Sequence, residues 1–528
     1  MAKAKAQKPP KSIVAYSTSA NTREGAIEKK DFELVFGLVA AVGTDLKFIE
    51  DALCDRLKYF DYFDPVRIHL SEFLKNFKIP QDGQPVKLVD RPEDKRITSR
   101  MDAGNILRER TGYGDVLALL ATQKIQQLRK PPPGRKAYVI NSLKHPSEVN
   151  CLRRIYGPGF FLIAVYSPEQ LRETRLATLI AQSNDTAEVD QFRLAARELM
   201  RRDEFEPGKF GQQVRDTFHL ADVFISLSAD SSSAKSSAKN SIRRFMELLF
   251  GNPFETPTPD EYLMFHAHAA ALRSGSLARQ VGAVVGTERA EVISAGCNDV
   301  PRAQGGLYLA GDADDERDMK RARDSSDEQK EKMVDEVIST FSQAKWIGKN
   351  RKLKTSEVIA SLKGTRLMSV IEFGRDAHAE MEAILSAGRI GVSIRGHNLY
   401  STTFPCHNCA KLIITAGIRR VVYIEPYPKS LAIELHSDSI FLGHNPPQKK
   451  NSATQVKFEP FVGIGPRKYL DFFSLSTNNG GQISRKDDQG RPIQWNPKTA
   501  TPRSPMLPLS YLERETDASA IVSSFGDS

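Results

Sequence analysis

Two series of apolar, strand-like segments alternating with helical ones, on either side of a proline-rich joint, constrain this chain most. In the first series residues 32–42 are an apolar run, 46–57 have helical spacing and 66–70 read as a short strand. A helical stretch over 99–128 follows, then buried strands at 136–140 and 160–166, a helix at 171–180 and a strand at 222–227. Apolar strands alternating with helices predict a parallel sheet covered on both faces. The run SADSSSAKSSAKNS at 228–241 reads as a flexible loop or linker, with a helix at 242–250 and the joint GNPFETPTPD after it.

The second series runs helix 261–274, strands 281–286 and 291–295, a long insertion, helix 376–387, strand 398–403, helix 406–416 and strand 420–424. A length of 528 residues calls for more than one core. The expected division is a basic, disordered N-terminus at 1–30, an α/β domain at 31–252, a second α/β domain at 259–475 with its insertion at 302–372, and a loosely ordered tail at 476–528. A dense charge run at 312–336 inside the insertion predicts a solvated helix.

Composition narrows the class. No segment approaches the ~20 apolar residues that span a bilayer, so no membrane partner is expected. The basic N-terminus has no apolar segment after it, and no secretory signal is expected there. Five cysteines, two of them in a Cys-x-x-Cys, point to a reducing compartment, the cytoplasm, and to metal or redox chemistry instead of disulfides. A net charge of +10 suits polynucleotides and phosphorylated small molecules alike and decides between neither.

The chemistry is concentrated in DAHAE at 376–380 and PCHNC at 405–409. A catalytic zinc takes three nitrogen or sulfur ligands and keeps a fourth place for water; His378, Cys406 and Cys409 supply that set. Both cysteines fall at the start of a predicted helix, where free N–H groups and the helix dipole stabilise thiolate. Glu380 is two residues past His378, and positions i and i+2 do not share a helix face, so it stands beside the metal as a proton shuttle. His407, between the cysteines, is an alternative ligand whose side chain should point away. H-x-E with a downstream P-C-x-x-C is the zinc nucleobase-deaminase pattern.

Residues 259–430 resemble the deoxycytidylate deaminases in RQVGAVVG (279–286), GCNDVP (296–301), HAEMEAI (378–384) and TTFPCHNCAKLIITAGIRRVVY (402–423). The resemblance implies a three-layer α/β/α cytidine deaminase fold and a substrate contact from Asn298, with Ala379 and Pro405 as further substrate-binding candidates. Cys297 and Asp299 depart from the family's usual tyrosine and glycine.

The N-terminal half looks like a degenerate P-loop kinase domain. FGLVAAVGTDL (36–46) follows a strand and opens a helix. Set against G-x-x-x-x-G-K-[ST], with Gly43 as the second glycine, Thr44 and Asp45 take the places of Lys and Ser/Thr. Leu38 falls at the first glycine, with Gly37 one position off. VINSLKHPSEV (139–149) looks like the second acidic motif of nucleotide kinases, with Asn141 for the expected Asp. Such a domain binds nucleotide through Gly37, Gly43, Thr44 and Asp45 but is poorly equipped for phosphoryl transfer; the alternative is a strand–turn–helix whose glycines serve packing only. The fold class is therefore α/β, an N-terminal P-loop-like parallel-sheet domain joined to a C-terminal cytidine deaminase-like domain.

Over residues 30–475 this pairing resembles the two-domain bacterial anti-phage deoxycytidine-nucleotide deaminases. That resemblance implies zinc-dependent conversion of dCTP and dCMP to deoxyuridine forms, a regulatory nucleotide at the first domain, restraint by a small RNA, and a homo-oligomer. Two rivals come from other classes. A polynucleotide deaminase needs an electropositive channel interleaved with aromatics. At 8% aromatic the sequence offers none, and the acidic stretch Asp312, Asp314, Asp315, Glu316 in the insertion would repel a polyanion. A non-catalytic nucleotide sensor would not need Glu380 beside a full ligand set.

Overall fold

The computed structural model describes residues 32–525 apart from short stretches at 77–79, 82–83, 86, 130–133, 349–352, 363–364, 366, 428, 444–454, 478–480 and 504–507. The expectation of disorder at 1–30 lies outside the described residues.

The apolar run becomes β1 (Leu34–Ala40), buried along its whole length because it pairs on both sides. There follow α1 (Leu46–Lys58), β2 (Val66–His69), α2 (Glu93–Thr111), α3 (Val116–Leu128), β3 (Ala137–Asn141), α4 (Pro146–Tyr156), β4 (Phe160–Tyr166), α5 (Glu169–Ser183), α6 (Arg193–Glu204), β5 (Val223–Ser226) and α7 (Ser232–Leu249). The strands run parallel in the order β2-β3-β1-β4-β5. Alternate residues of β1 feed two cores: Leu34, Phe36 and Leu38 meet α1 and α7, while Val35 and Val39 meet α3 and α4.

Two expectations change here. The helical stretch at 99–128 is two helices, because Gly112 takes a left-handed φ of 70° and ends α2. The run at 228–241 is mostly helix, not linker. Ser231 caps α7 by accepting from the Ala234 N–H, and Ala234, Ala238, Ile242 and Phe245 turn one buried stripe to the sheet. Serine and alanine suggested flexibility by composition, but the helical spacing of the apolar residues prevails.

The second half begins with α8 (Pro259–Ala271), opened by a capping box between Thr258 and Glu261. Then come β6 (Gly282–Gly286), β7 (Val292–Cys297), α9 (Ser325–Gln343), α10 (Ala379–Arg389), β8 (Asn398–Thr403), α11 (His407–Thr415), β9 (Arg420–Glu425), β10 (Ile440–Leu442), β11 (Val456–Pro460) and β12 (Gly463–Ile464). The sheet order is β10-β11-β9-β8-β6-β7, parallel from β10 to β8 and antiparallel beyond. α8 lies against β6 and β8, while Ala379 and Ala383 of α10 share a core with Cys409 and Ile413 of α11. Gly296 sets the position of α10: a Cβ there would stand 2.4 Å from the Ala379 carbonyl, so only glycine lets the helix lie on β7.

The two halves are interlaced. β12, from the second half, pairs antiparallel with β5 and extends the first sheet to six strands. The expected loose tail is corrected as well. A final helix, α12 (Pro508–Ser524), docks on α3 with Tyr511, Ala518 and Val522 buried, and its buried Glu515 meets Arg129, which also holds Glu33. Among the described residues no helix is long and apolar enough to cross a membrane.

Candidate active site

Three donor atoms converge where α10 and α11 begin. His378 is the N-cap of α10, with extended φ −71° and ψ 155°, so it lies off the helix that the sequence placed it on. The reason expected for Glu380 standing apart from the ligands therefore changes. Glu380 is in the first turn while His378 precedes it, and both reach the same cavity. Cys406 is the N-cap of α11, and its Sγ accepts from the Cys409 N–H at 3.4 Å. His378 Nδ1 is 3.2 Å from Cys406 Sγ and 3.3 Å from Cys409 Sγ.

This donor set fits zinc. One imidazole nitrogen and two sulfurs lie within 4.8 Å of one another. A tetrahedral centre with Zn–S of about 2.3 Å and Zn–N of about 2.0 Å separates its ligands by roughly 3.5 Å. Cys409, and then His378, pull the Cys406 thiol down to about 4 against burial, which favours thiolate at this position. Burial holds the Cys409 thiol up. The Glu380 carboxyl, 4% exposed, accepts from Ser401 Oγ at 3.2 Å and from Cys409 Sγ at 3.3 Å, and burial raises its pKa. His407 turns away: its Nε2 is 3.3 Å from Glu372, and it is not part of the donor cluster.

The cavity above these groups holds about 250 Å³. Asn298 and Ala379 line it; Pro405 does not, although its neighbours Phe404 and Cys406 do, and its carbonyl accepts from Ser430 Oγ. The Asn298 amide is largely committed, accepting from the Val281 N–H at 2.7 Å and donating to the Arg279 carbonyl at 2.8 Å. One N–H and one lone pair are left for a ligand. Sequence reasoning missed Arg279, Tyr427, Lys330 and Arg375 on the wall. Arg279 sits inside the quoted RQVGAVVG, but the last two come from or beside the insertion, whose sequence shows only charge. The acidic stretch there is neutralised and does not form a repelling face: Arg302 pairs with Asp312 and Asp314, Arg317 with Asp315 and Arg321 with Glu316.

Of the N-terminal candidates, Gly43 and Thr44 line a second cavity of about 280 Å³ beyond the carboxyl ends of β1 and β3; Gly37 and Asp45 do not. Gly37 lies inside β1, where a Cβ would stand 2.6 Å from Leu143 Cδ1. Gly43 has φ 88° and passes so close to α5 that a Cβ would meet the Arg172 carbonyl at 2.6 Å. Both glycines therefore serve the fold's packing. Asp45 caps α1 and pairs with Arg175, and Asn141 donates to the buried Glu50. Residues 41–45 alone connect β1 to α1, a shorter turn than the pattern anticipated.

Residues 257–425 match the family model of the cytidine and deoxycytidylate deaminase zinc-binding region. Within the C-terminal half, then, the segment carrying these donors is similar to this zinc-binding region. It is similar to the deoxycytidylate deaminase of Enterobacteria phage T2, 49% identical over 55 residues, which are 10% of this chain and 29% of the phage protein. It is also similar to the probable deoxycytidylate deaminase of Drosophila melanogaster, 29% identical over 222 residues, 41% of this chain and 85% of that protein. The chain thus spans less than a third of the phage T2 relative and more of the insect one. The dCMP deaminase of cyanophage S-TIM5, solved with dCMP and dUMP, superposes on 39% of this chain and 99% of its own at 17% identity, with a TM-score of 0.22.

Proposed function

We propose that this chain hydrolyses the amino group from the cytosine of a free deoxycytidine nucleotide, dCTP or dCMP. The observation that carries the reading is the convergence of His378, Cys406 and Cys409 beside the buried Glu380 carboxylate, at the base of one cavity in a deaminase-type segment. His378, Cys406 and Cys409 would hold zinc, which supplies Lewis acidity and brings the pKa of water down towards neutrality. Glu380 takes one proton of the attacking water as its oxygen adds to C4 and delivers it to ring N3; it then takes the second proton from the new C4 hydroxyl and gives it to the amino group, which leaves as ammonia as the C4 carbonyl forms. Burial suits it to this, since raising a carboxyl's pKa makes its carboxylate a better proton acceptor. Ser401 holds one carboxylate oxygen and so orients the other. The products are ammonia and a deoxyuridine nucleotide.

Closure of the cavity by the insertion, through Ser325, Lys330, Met368 and Ile371, favours a single nucleotide over a strand, which needs room on both flanks. The second cavity takes the regulatory nucleotide in this reading. Open α/β sheets hold ligands beyond the carboxyl ends of their strands where the order reverses, and Arg96, Arg100 and Lys144 there suit phosphate. Anti-phage depletion of dCTP in the cytoplasm, restraint by a small RNA and homo-oligomeric assembly belong to the reading on the resemblance alone.

The test is ammonia release from dCMP, dCTP, CMP, CTP and a cytosine-containing oligonucleotide at equal enzyme. Turnover of the free deoxynucleotides is expected. Deamination of the oligonucleotide with both free deoxynucleotides untouched would hand the case to the polynucleotide reading.

A further inference from the structure

We propose that the insertion is a substrate-recognising wall and that Lys330 on α9 binds the 5′-phosphate end of the nucleotide. This rests on the nucleotide-deaminase reading above and adds to it the residue that recognises phosphate.

The insertion is stitched to the catalytic domain at the cavity's edge. Asp299, next to Asn298, exchanges backbone hydrogen bonds with Ala377, next to His378, and its carboxylate lies 3.6 Å from the buried Arg317 of the insertion. Asp318 accepts from Arg375 at 2.8 Å and from Ser325 Oγ at 2.9 Å, so the start of α9 is tied to the segment that delivers His378. The first turns of α9 therefore face the cavity in a fixed place, with Ser325, Ser326 and Lys330 on its wall.

Charge accounting at this wall singles out Lys330. The lining cations are Arg279, Lys330, Arg375 and Lys429. Glu425 holds Arg279 at 2.6 Å and Asp318 holds Arg375 at 2.8 Å, and Lys429 stands out in solvent. The carboxylate of Asp324 is occupied in capping α9, accepting from the Ser326 and Asp327 N–H groups. The Lys330 side chain is only 18% exposed, yet its recorded carboxylate, Asp327, is 3.6 Å away and 75% exposed. Lys332 on the same helix shows the ordinary surface case, 57% exposed and 2.8 Å from Glu328. A sheltered ammonium whose ion-pair partner is a solvated carboxylate at 3.6 Å gains little from that pair. A phosphate entering the cavity supplies a closer and less solvated anion, and lysine serves phosphate as a point charge that needs no bidentate geometry. The cation stands on the wall opposite in role to the base end of the cavity, where His378, Glu380 and Cys406 lie.

The experiment measures kcat and KM for dCMP and dCTP with the full-length zinc-loaded enzyme and with Lys330→Gln, Lys330→Glu and Lys332→Gln. Charge-assisted hydrogen bonds correspond to roughly a ten- to hundredfold effect. Lys330→Gln is expected to raise KM by about that factor with a smaller change in kcat, Lys330→Glu to raise it further, and Lys330→Arg to restore part of it. Lys332→Gln is expected to behave as wild type. Equilibrium binding of dUMP to each variant, with zinc content and melting temperature checked, separates lost recognition from lost folding. If wild type turns over dCMP and dCTP while Lys330→Gln and Lys330→Glu keep wild-type KM and dUMP affinity, Lys330 is held only by packing of its stem and the wall proposal falls. If wild type turns over neither nucleotide, the functional reading fails first and takes this proposal with it.

Discussion

Glu380 and His378 are two residues apart, yet one is a helical residue buried under the ring of donors and the other a cap turned out of the helix. Their identities as neighbours of one donor cluster were legible from H-x-E and P-C-x-x-C, because zinc chemistry restricts which residue types serve. Their directions were not, since an N-cap angle cannot be read from a motif. The expected behaviour follows from position. Glu380→Ala should keep zinc and fold but lose ~10²–10⁴-fold in turnover, as the loss of a positioned acid–base group does, in steady-state assays with metal content measured in parallel. Cys409→Ser should lose both metal and activity, with elemental analysis falling from about one zinc per chain towards none. The glycines of the N-terminal loop teach the converse. Gly43 fits a phosphate-loop pattern and Gly37 falls one position off it, and Leu143, Phe160 and Arg172 crowd the space a Cβ would need at either.

At the scale of elements, the strongly patterned segments emerged nearly as read: β4 and β8 coincide with their expected residues, and α1 and β9 differ by a residue. Misreadings fell where composition and periodicity disagreed. The serine- and alanine-rich α7 is a packed helix because Ala234, Ala238 and Ile242 recur every four residues on its buried side. The tail hid α12 for a related reason: its hold on the fold comes from Arg129, nearly four hundred residues earlier, which lies between Glu33 and Glu515. Removing the Glu515 carboxylate leaves Arg129 paired with Glu33 but takes away the acceptors of its other guanidinium N–H groups. Glu515→Ala should therefore destabilise the N-terminal half by about 1–3 kcal/mol, read as a lower urea midpoint by circular dichroism. A midpoint equal to wild type would mean that α12 is not bound in solution.

The whole molecule is two α/β sheets, the first completed by a strand from the second half of the chain, with a cavity beside each. Because Thr44 and Asp45 occupy the places of Lys and Ser/Thr, and Asp45 is engaged with Arg175, the purified protein should transfer no phosphate from ATP to dCMP or deoxycytidine. Nucleotide added at the N-terminal cavity should instead change the deaminase rate, and chromatography for ADP beside the ammonia assay checks both. By itself the sequence determined the alternating elements, the α/β class and the zinc donor set, because periodicity and ligand chemistry are local properties of a chain. Only the tertiary structure decided that β12 completes the first sheet, that α12 is docked, and that Lys330 reaches the catalytic cavity. Those facts depend on contacts between residues far apart in sequence, and no local pattern records them.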